Sequence, residues 1–390
     1  MDKKTVRDVD LKGKRVLMRA DFNVPLDGDE ITDDRRIRAA MPTIEYILEH
    51  GASLILMSHL GRPKGKVNPE MSLAPVAKRL GELLKQDVTM APDSVGDEVA
   101  ALVAKMKPGD VMLLENTRFH AGEKANDPEY AKQLAQFGDI FVNDAFGTAH
   151  RAHASTVGVT DYLPAVAGFL IGKEMEFLGK AAEAPDHPYV HLLGGAKVSD
   201  KAPVIENLLG KADKILIGGG MANTFFKAMG YEVGASLVED DIIDEVKDML
   251  QAGAETIVLP IDVVVADAFE NDANHQVVPV DGVEPGWMIL DLGPETVEKY
   301  RGILHEAKTV AWNGPLGVFE MPNFAKGTFA IAKILAELDA VTVVGGGESA
   351  AAVEKAGVAD KVSHVSTGGG ASLMFFEGKT LPGLEALEDK

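Results

Sequence analysis

The 390-residue chain contains no cysteine, which excludes a disulfide framework and any thiolate nucleophile or metal ligand. No apolar run approaches the roughly 18–20 residues that a membrane-crossing helix needs, so no membrane partner is expected. The opening MDKKTVRDVD has neither an apolar signal region nor a cleavage pattern, and a cytoplasmic location is expected. Basic residues are scarce. Lys and Arg number 39 against 60 Asp and Glu, for a formal charge of -21, which argues against a general nucleic-acid surface. If the ligands are anionic, the few cations must be concentrated locally. There is no low-complexity segment and no short-period repeat.

What is present is enough apolar material for large cores. With 46% hydrophobic residues over 390 positions, the chain exceeds the roughly 250–300 residues beyond which single cores split, and two domains are expected. Short apolar runs such as Arg15–Arg19, Ser53–Met57, Val111–Leu114 and Ile140–Val142 alternate with helical patterns, the rhythm of a parallel sheet with crossover helices. Helix ends are legible. Asp127 reads as an N-cap with Pro128 in the first helical position, and Gly138 lies past the last turn. Between the halves, the stretch from Ala165 to Ala184 carries two apolar rows at helical spacing: Ile171, Met175, Leu178 and Ala182, then Val166, Leu170, Phe177 and Ala181. Such a helix can serve either as a linker packed against two bodies or as an ordinary core helix. Chain length and the contrast between its flanks favour the linker.

Before that stretch, polar loops follow four successive strands: Asp21-Phe22-Asn23, Ser58–Pro63, Glu115–Phe119 and Asn143–Arg151. Three of them carry an arginine: Arg62, Arg118 and Arg151. In open parallel sheets the ligand crevice lies beyond the carboxyl ends of the strands, so these arginines are expected to converge there with Arg36. Guanidinium forks match phosphate and carboxylate oxygens, which suits a small, multiply charged anion. His59, His150 and His153 share these loops in supporting roles, since nothing in their spacing suggests zinc. Asp21 and Asn23 can bind substrate hydroxyls or simply form the turn.

After the stretch, glycine and lysine take over. Gly194–Lys201 follows the run Val190–Leu193, with Ser199 expected as the N-cap of a helix and Lys201 in its first turn. A cation there opposes the helix dipole unless an anion completes the site. Glycine triplets 218–220, 345–347 and 368–370 each follow a strand-like run; glycine lets backbone approach phosphate closely, and three triplets point to a nucleotide. Neither a Walker loop nor a protein-kinase signature is present.

Together these loops resemble the phosphoglycerate kinase family along essentially the whole chain. The segment Arg19–Pro25 is similar to the family's opening signature, and the loops 58–63, 115–119, 146–155, 194–201, 312–320 and 366–372 follow in the family's order. The resemblance implies an α/β fold of two doubly wound parallel-sheet (Rossmann-like) domains. These are a phosphoglycerate-binding domain at 1–168, a connecting helix at 169–184, a nucleotide-binding domain at 185–370 and a C-terminal segment at 371–390 returning to the first domain. It implies phosphoryl transfer between 1,3-bisphosphoglycerate and ADP, giving 3-phosphoglycerate and ATP. By position, the phosphoglycerate site falls on Asp21, Asn23, Arg36, His59, Arg62, Arg118 and Arg151. The nucleotide site falls on Lys197, Lys201, Gly219, Gly293, Asn313, Pro315, Glu320, Gly346, Gly347, Glu348 and Ser349. Arg36, Lys201, Gly347 and Gly370 are the expected catalytic groups. Mg2+ is expected with the nucleotide; Glu348, where the family usually has aspartate, is its candidate protein ligand, directly or through water. A monomer is expected.

The attacking oxygen, on substrate or on ADP, is already deprotonated near neutral pH, so positioning and charge neutralisation should dominate. The two sets of binding residues flank the connecting stretch, and closure about Gly168, Gly172 and 367–370 is expected. One rival is a nicotinamide-dependent dehydrogenase, because Gly345–Ala350 fits Gly-x-Gly-x-x-Ala; it leaves the arginines unexplained, and the next strand lacks the ribose-binding acid. A non-catalytic anion-binding protein is the other.

Overall fold

The computed structural model describes residues 2–390. Contacts divide the chain into two units, one comprising residues up to Glu176 together with Thr380–Lys390, the other Phe177–Lys379.

The first unit is built on a parallel sheet of six strands in the order Val88–Met90, Val111–Leu113, Ser53–Met57, Arg15–Arg19, Ile140–Asn143, Ala165–Ala167. Strands covered on both faces must be apolar throughout rather than alternating, and Ser53–Met57 is buried at every position. The helix Arg35–Glu49 covers one face with Ile37, Ile44 and Ile47, three residues with no exposed surface. Asp127 caps the helix Pro128–Ala135 by accepting the Tyr130 amide at 2.8 Å. The last residues return to this unit: Glu388 donates its amide to Ala165 at 2.9 Å, and Gly383 donates to Ala149 at 2.8 Å.

The second unit repeats the plan, with parallel strands ordered Ile257–Val258, Lys214–Ile217, Tyr189–Leu193, Thr309–Asn313, Val341–Gly345, His364–Val365. A separate antiparallel sheet sets Asp262–Ala266 between His275–Pro279 and Met288–Leu292. Trp312, Tyr300 and Phe324 are fully buried here.

Two expectations about local structure are corrected. The linking helix runs from Phe169 to Glu183, and Ala165–Ala167 is a strand paired to Phe141–Asn143, so Val166 belongs to the sheet. The residues buried along the helix are Ile171, Glu174, Leu178 and Ala181, a single stripe that includes a carboxylate the apolar pattern passes over. The second correction is at Lys201, which is the N-cap of the helix Ala202–Leu208 rather than part of its first turn. Pro203, favoured at a helix start, sets that boundary. The Ser199 hydroxyl donates to Glu239 at 2.5 Å instead of capping.

Candidate active site

In each unit the central strand lies between neighbours reached by crossovers running in opposite directions, the arrangement that opens a crevice at the carboxyl ends. In the first unit, Arg19 is level with Met57 and Asn143, so the loops after these strands leave at one height. They bring the expected residues together. The Arg36 guanidinium, in the first turn of Arg35–Glu49, donates to Asp21 Oδ2 at 2.7 Å. Asn23 Oδ1 accepts the Gly61 amide at 2.8 Å, and Arg118 donates to the Gly61 carbonyl at 2.9 Å. Arg151 donates to His150 Nε2 at 2.9 Å. Arg62 is exposed on the same loop as Gly61.

Buried His59 stands at the focus. Its pKa is held well below the ordinary histidine value, first by burial and then by the guanidiniums of Arg19, Arg118, Arg36 and Arg151. The imidazole is therefore neutral at physiological pH. The crowding also brings Arg118 down to about 10, through burial and then through Arg19 and Arg151, and His153 to about 4, through burial first and Arg118 next. Like charges gathered this closely repel unless an anion sits among them, so the cluster is suited to phosphate and carboxylate oxygens. His150 is also shifted down, mainly by burial.

In the second unit, Leu193 is level with Ile217 and Asn313, and Asn313 with Gly345, so Gly194, Gly218, Gly314 and Gly346 leave their strands side by side. Gly314 has φ +90°, and a Cβ on it would meet the Gly194 carbonyl at 2.2 Å; one on Gly219, φ +67°, would meet the Pro315 carbonyl at 2.6 Å. Only glycine allows these backbones to approach so closely. Lys201 Nζ donates to Asn313 Oδ1, whose amide nitrogen donates to the Gly345 carbonyl at 3.0 Å. Burial lowers the Lys201 pKa, opposed by the charges of Asp200, Glu348 and Glu377. Gly346 caps the helix Gly347–Lys355, with Glu348 in its first turn, and the Ser349 hydroxyl accepts the Gly314 amide at 2.7 Å. Gly370 lies in the first turn of Gly369–Phe376. Lys197 is exposed.

A cavity of about 490 Å³ opens beside these loops, walled by Gly219, Leu237, Pro315, Val318, Glu320 and Glu348, with Phe269 among its other lining residues. Gly293 is not part of its wall; it is buried at the start of Pro294–Glu306, where a Cβ would meet the Asp262 carboxylate at 2.2 Å. A larger hollow, about 950 Å³, lies at the sheet edge among Phe226, Leu250, Ile257 and Ile303. The end of the edge strand Ile257–Val258 and the loop after it form part of its wall, but none of the glycine turns that follow the inner strands lines it, and Lys214 and Lys299 at its rim donate to backbone carbonyls. The smaller cavity is the one that suits the chemistry.

A model of the family described as "Phosphoglycerate kinase" matches residues 6–379. The chain belongs to the phosphoglycerate kinase family. It is 59% identical over 393 residues to the phosphoglycerate kinase of Moorella thermoacetica and 59% identical over 396 residues to that of Chloroherpeton thalassium, with 100% of both chains covered in each case. Among solved structures it is similar to phosphoglycerate kinase from Coxiella burnetii, at 43% identity and TM-score 0.91, and to that from Pyrococcus horikoshii, at 36% and 0.86; each comparison covers 98% of both chains. The protein is therefore a phosphoglycerate kinase in fold and activity: it transfers a phosphoryl group reversibly between 1,3-bisphosphoglycerate and ADP, in glycolysis and gluconeogenesis. The dehydrogenase and non-catalytic alternatives fall away. No helix among the described residues is long and apolar enough to cross a membrane.

Several polar residues of these sites carry no signal in the sequence pattern. Arg19 is fully buried, as is Glu123, and Asp144 and Asp291 are nearly so. In the sequence Arg19 appears only as the first residue of the segment Arg19–Pro25 and Asp144 only within the polar loop Asn143–Arg151, with nothing to mark either as buried.

Proposed function

We propose that phosphoglycerate binds in the first unit on Asp21, Asn23, Arg36, His59, Arg62, Arg118 and Arg151, and the nucleotide in the second on Lys197, Lys201, Gly219, Asn313, Pro315, Glu320 and the turn Gly346–Ser349. The observation that carries this reading is the convergence of four guanidiniums on one buried, neutral histidine. Gly293 supports the nucleotide site from behind, by fixing the start of Pro294–Glu306 against Asp262.

In the direction of ATP synthesis a β-phosphate oxygen of ADP attacks the acyl phosphate. A new P–O bond forms as the bond to the carboxyl oxygen breaks, and the electron pair leaves with the carboxylate of 3-phosphoglycerate. Neither oxygen needs a protein base, so the protein's task is to align the groups and balance charge. Arg36 and Lys201 flank the transferred phosphoryl, and the amides at Gly347 and Gly370, each in the first turn of a helix, share its negative charge. Reacting atoms must come to about 3–3.5 Å with water excluded, and hinge closure about Gly168, Gly172 and 367–370 is part of this proposal.

No group of three or more His, Asp or Glu fit to hold a metal ion occurs among the described residues. Of the two exposed carboxylates at the cavity wall, Glu320 and Glu348, Glu348 lies in the first turn of Gly347–Lys355 and fits Mg2+ that arrives on the nucleotide, since that ion keeps several waters and takes one or two carboxylates plus phosphates. When bound, the ion supplies charge neutralisation on the phosphates.

A coupled assay of ATP-dependent 3-phosphoglycerate conversion, run on His59→Gln and Arg118→Lys, tests the site. A raised KM for 3-phosphoglycerate with an unchanged KM for Mg-ATP is expected; unchanged constants for both ligands would place the substrate elsewhere.

A further inference from the structure

Behind the arginine cluster runs a chain of buried polar groups that substrate binding does not account for. Glu123 lies on the short helix Ala121–Ala125 and has no exposed surface. Both of its oxygens accept hydrogen bonds, Oε1 from the Ser155 hydroxyl at 2.6 Å and Oε2 from the Ser155 amide at 3.0 Å, as an ionised carboxylate does. The one hydroxyl proton of Ser155 is thereby committed to Glu123, and its oxygen is left to accept from Arg19 Nε at 2.8 Å. Arg19 spends a second donor on the Ala20 carbonyl, and its third contact is to His59 Nδ1 at 3.0 Å.

The direction of that last bond is determined. A guanidinium has only donors and stays protonated in proteins, so Nδ1 of His59 must carry the lone pair. The ring is neutral, because burial and the surrounding arginines disfavour a further charge. Its single proton therefore sits on Nε2. We infer that Glu123, Ser155 and Arg19 are positioning residues for the reaction, an ion pair relayed through a hydroxyl that fixes His59 as the Nε2–H tautomer. A free imidazole exchanges its proton between the two nitrogens, and the opposite tautomer would turn a lone pair toward the bound anion. The relay makes Nε2 a permanent donor. Glu123 also supplies the counter-charge for the buried Arg19. Without it, a cation stripped of water would lie against an array of like charges. The inference rests on the reading that His59 contacts phosphoglycerate.

The test uses the full chain, with imidazole nitrogen-15 NMR to assign the His59 proton and steady-state kinetics to read its effect. Wild type should show one His59 tautomer, protonated on Nε2. Ser155→Ala breaks the relay at its centre, and Glu123→Gln removes the charge at nearly constant shape. Either should give a mixture of tautomers, and should raise the KM for 3-phosphoglycerate about fivefold or more while KM for Mg-ATP stays within about twofold. If the Glu123 variant does not fold, Ser155→Ala alone decides, because it leaves both charges in place. A proton on Nδ1 in the wild type, or a Ser155→Ala enzyme with one Nε2 tautomer and unchanged KM, overturns the inference. So does a uniform change in every kinetic constant. His59→Gln separates the two readings: if it leaves the KM for 3-phosphoglycerate untouched, the site assignment fails, whereas the tautomer result stands or falls by NMR.

Discussion

Replacing Asp144 by asparagine should flatten the pH dependence of stability across the mildly acidic range. The residue follows the strand Ile140–Asn143 and is almost wholly buried. Its Oδ1 accepts the Ile171 amide at 3.2 Å, in the first turn of the linking helix, while Oδ2 has no partner. Burial pushes its pKa from 3.8 up to about 7, against the smaller pull of the Thr43 hydroxyl and the amides of Ile171 and Leu170. Between those values the folded protein holds a proton that the unfolded chain has released, so stability is greatest below the lower value and falls as pH rises through the window. The slope is about 1.4 kcal/mol per pH unit, and the whole window amounts to about 4 kcal/mol. Asparagine cannot titrate. Any constant packing penalty it brings is the same at every pH, so the quantity to follow is the difference in unfolding free energy, variant minus wild type. Between about pH 5 and about pH 7 this should move in favour of the variant by about 2–3 kcal/mol. Other groups, including Asp291, which is also raised to about 7, titrate in both proteins and cancel. Guanidinium unfolding of both proteins at matched pH, with m-values compared, gives the numbers. A difference that stays constant over the range would mean that Asp144 is ionised throughout and that burial does not govern it.

Arg36→Lys keeps the charge near Asp21 but loses the planar fork, so turnover should fall by about 10²–10³-fold with little change in nucleotide affinity; near-normal turnover in a coupled assay would remove Arg36 from the transition state. Glu348→Gln should weaken binding of Mg-ADP more than of metal-free ADP or 3-phosphoglycerate by calorimetry, and equal losses for all three would point to loop damage instead. Gly219→Ala forces a side chain into a backbone at φ +67° with the Pro315 carbonyl 2.6 Å away. The strain, about 1–3 kcal/mol, should appear as weakened ADP binding with 3-phosphoglycerate binding intact, and unchanged ADP affinity would show that the turn yields without moving the cavity wall.

Much of the architecture follows from patterns local in the chain. Apolar runs such as Ser53–Met57 must be strands covered on both faces, and Asp127-Pro128 must begin a helix, because burial period and capping chemistry act over a few residues. The position of the arginines after successive strands was likewise readable, since parallel strands in one sheet deliver their following loops to one end. Gly219 and Gly314 were visible as glycines, but the close contact that requires them involves partners far along the chain. Other features were hidden for the same reason. Nothing near Glu123 announces that Ser155 will link it to Arg19, and nothing around Asp144 reveals that its carboxylate loses all its water. The apolar rows carried the helical reading back to Val166, because Ala165–Ala167 has the apolar content of either a helix or a strand, and pairing with Phe141–Asn143 decides between them. Composition and spacing thus determine which elements form and which residue types they carry to the strand ends. Hydrogen-bond direction, tautomer and protonation state depend on desolvation and on partners distant in sequence, and these exist only once the chain has folded.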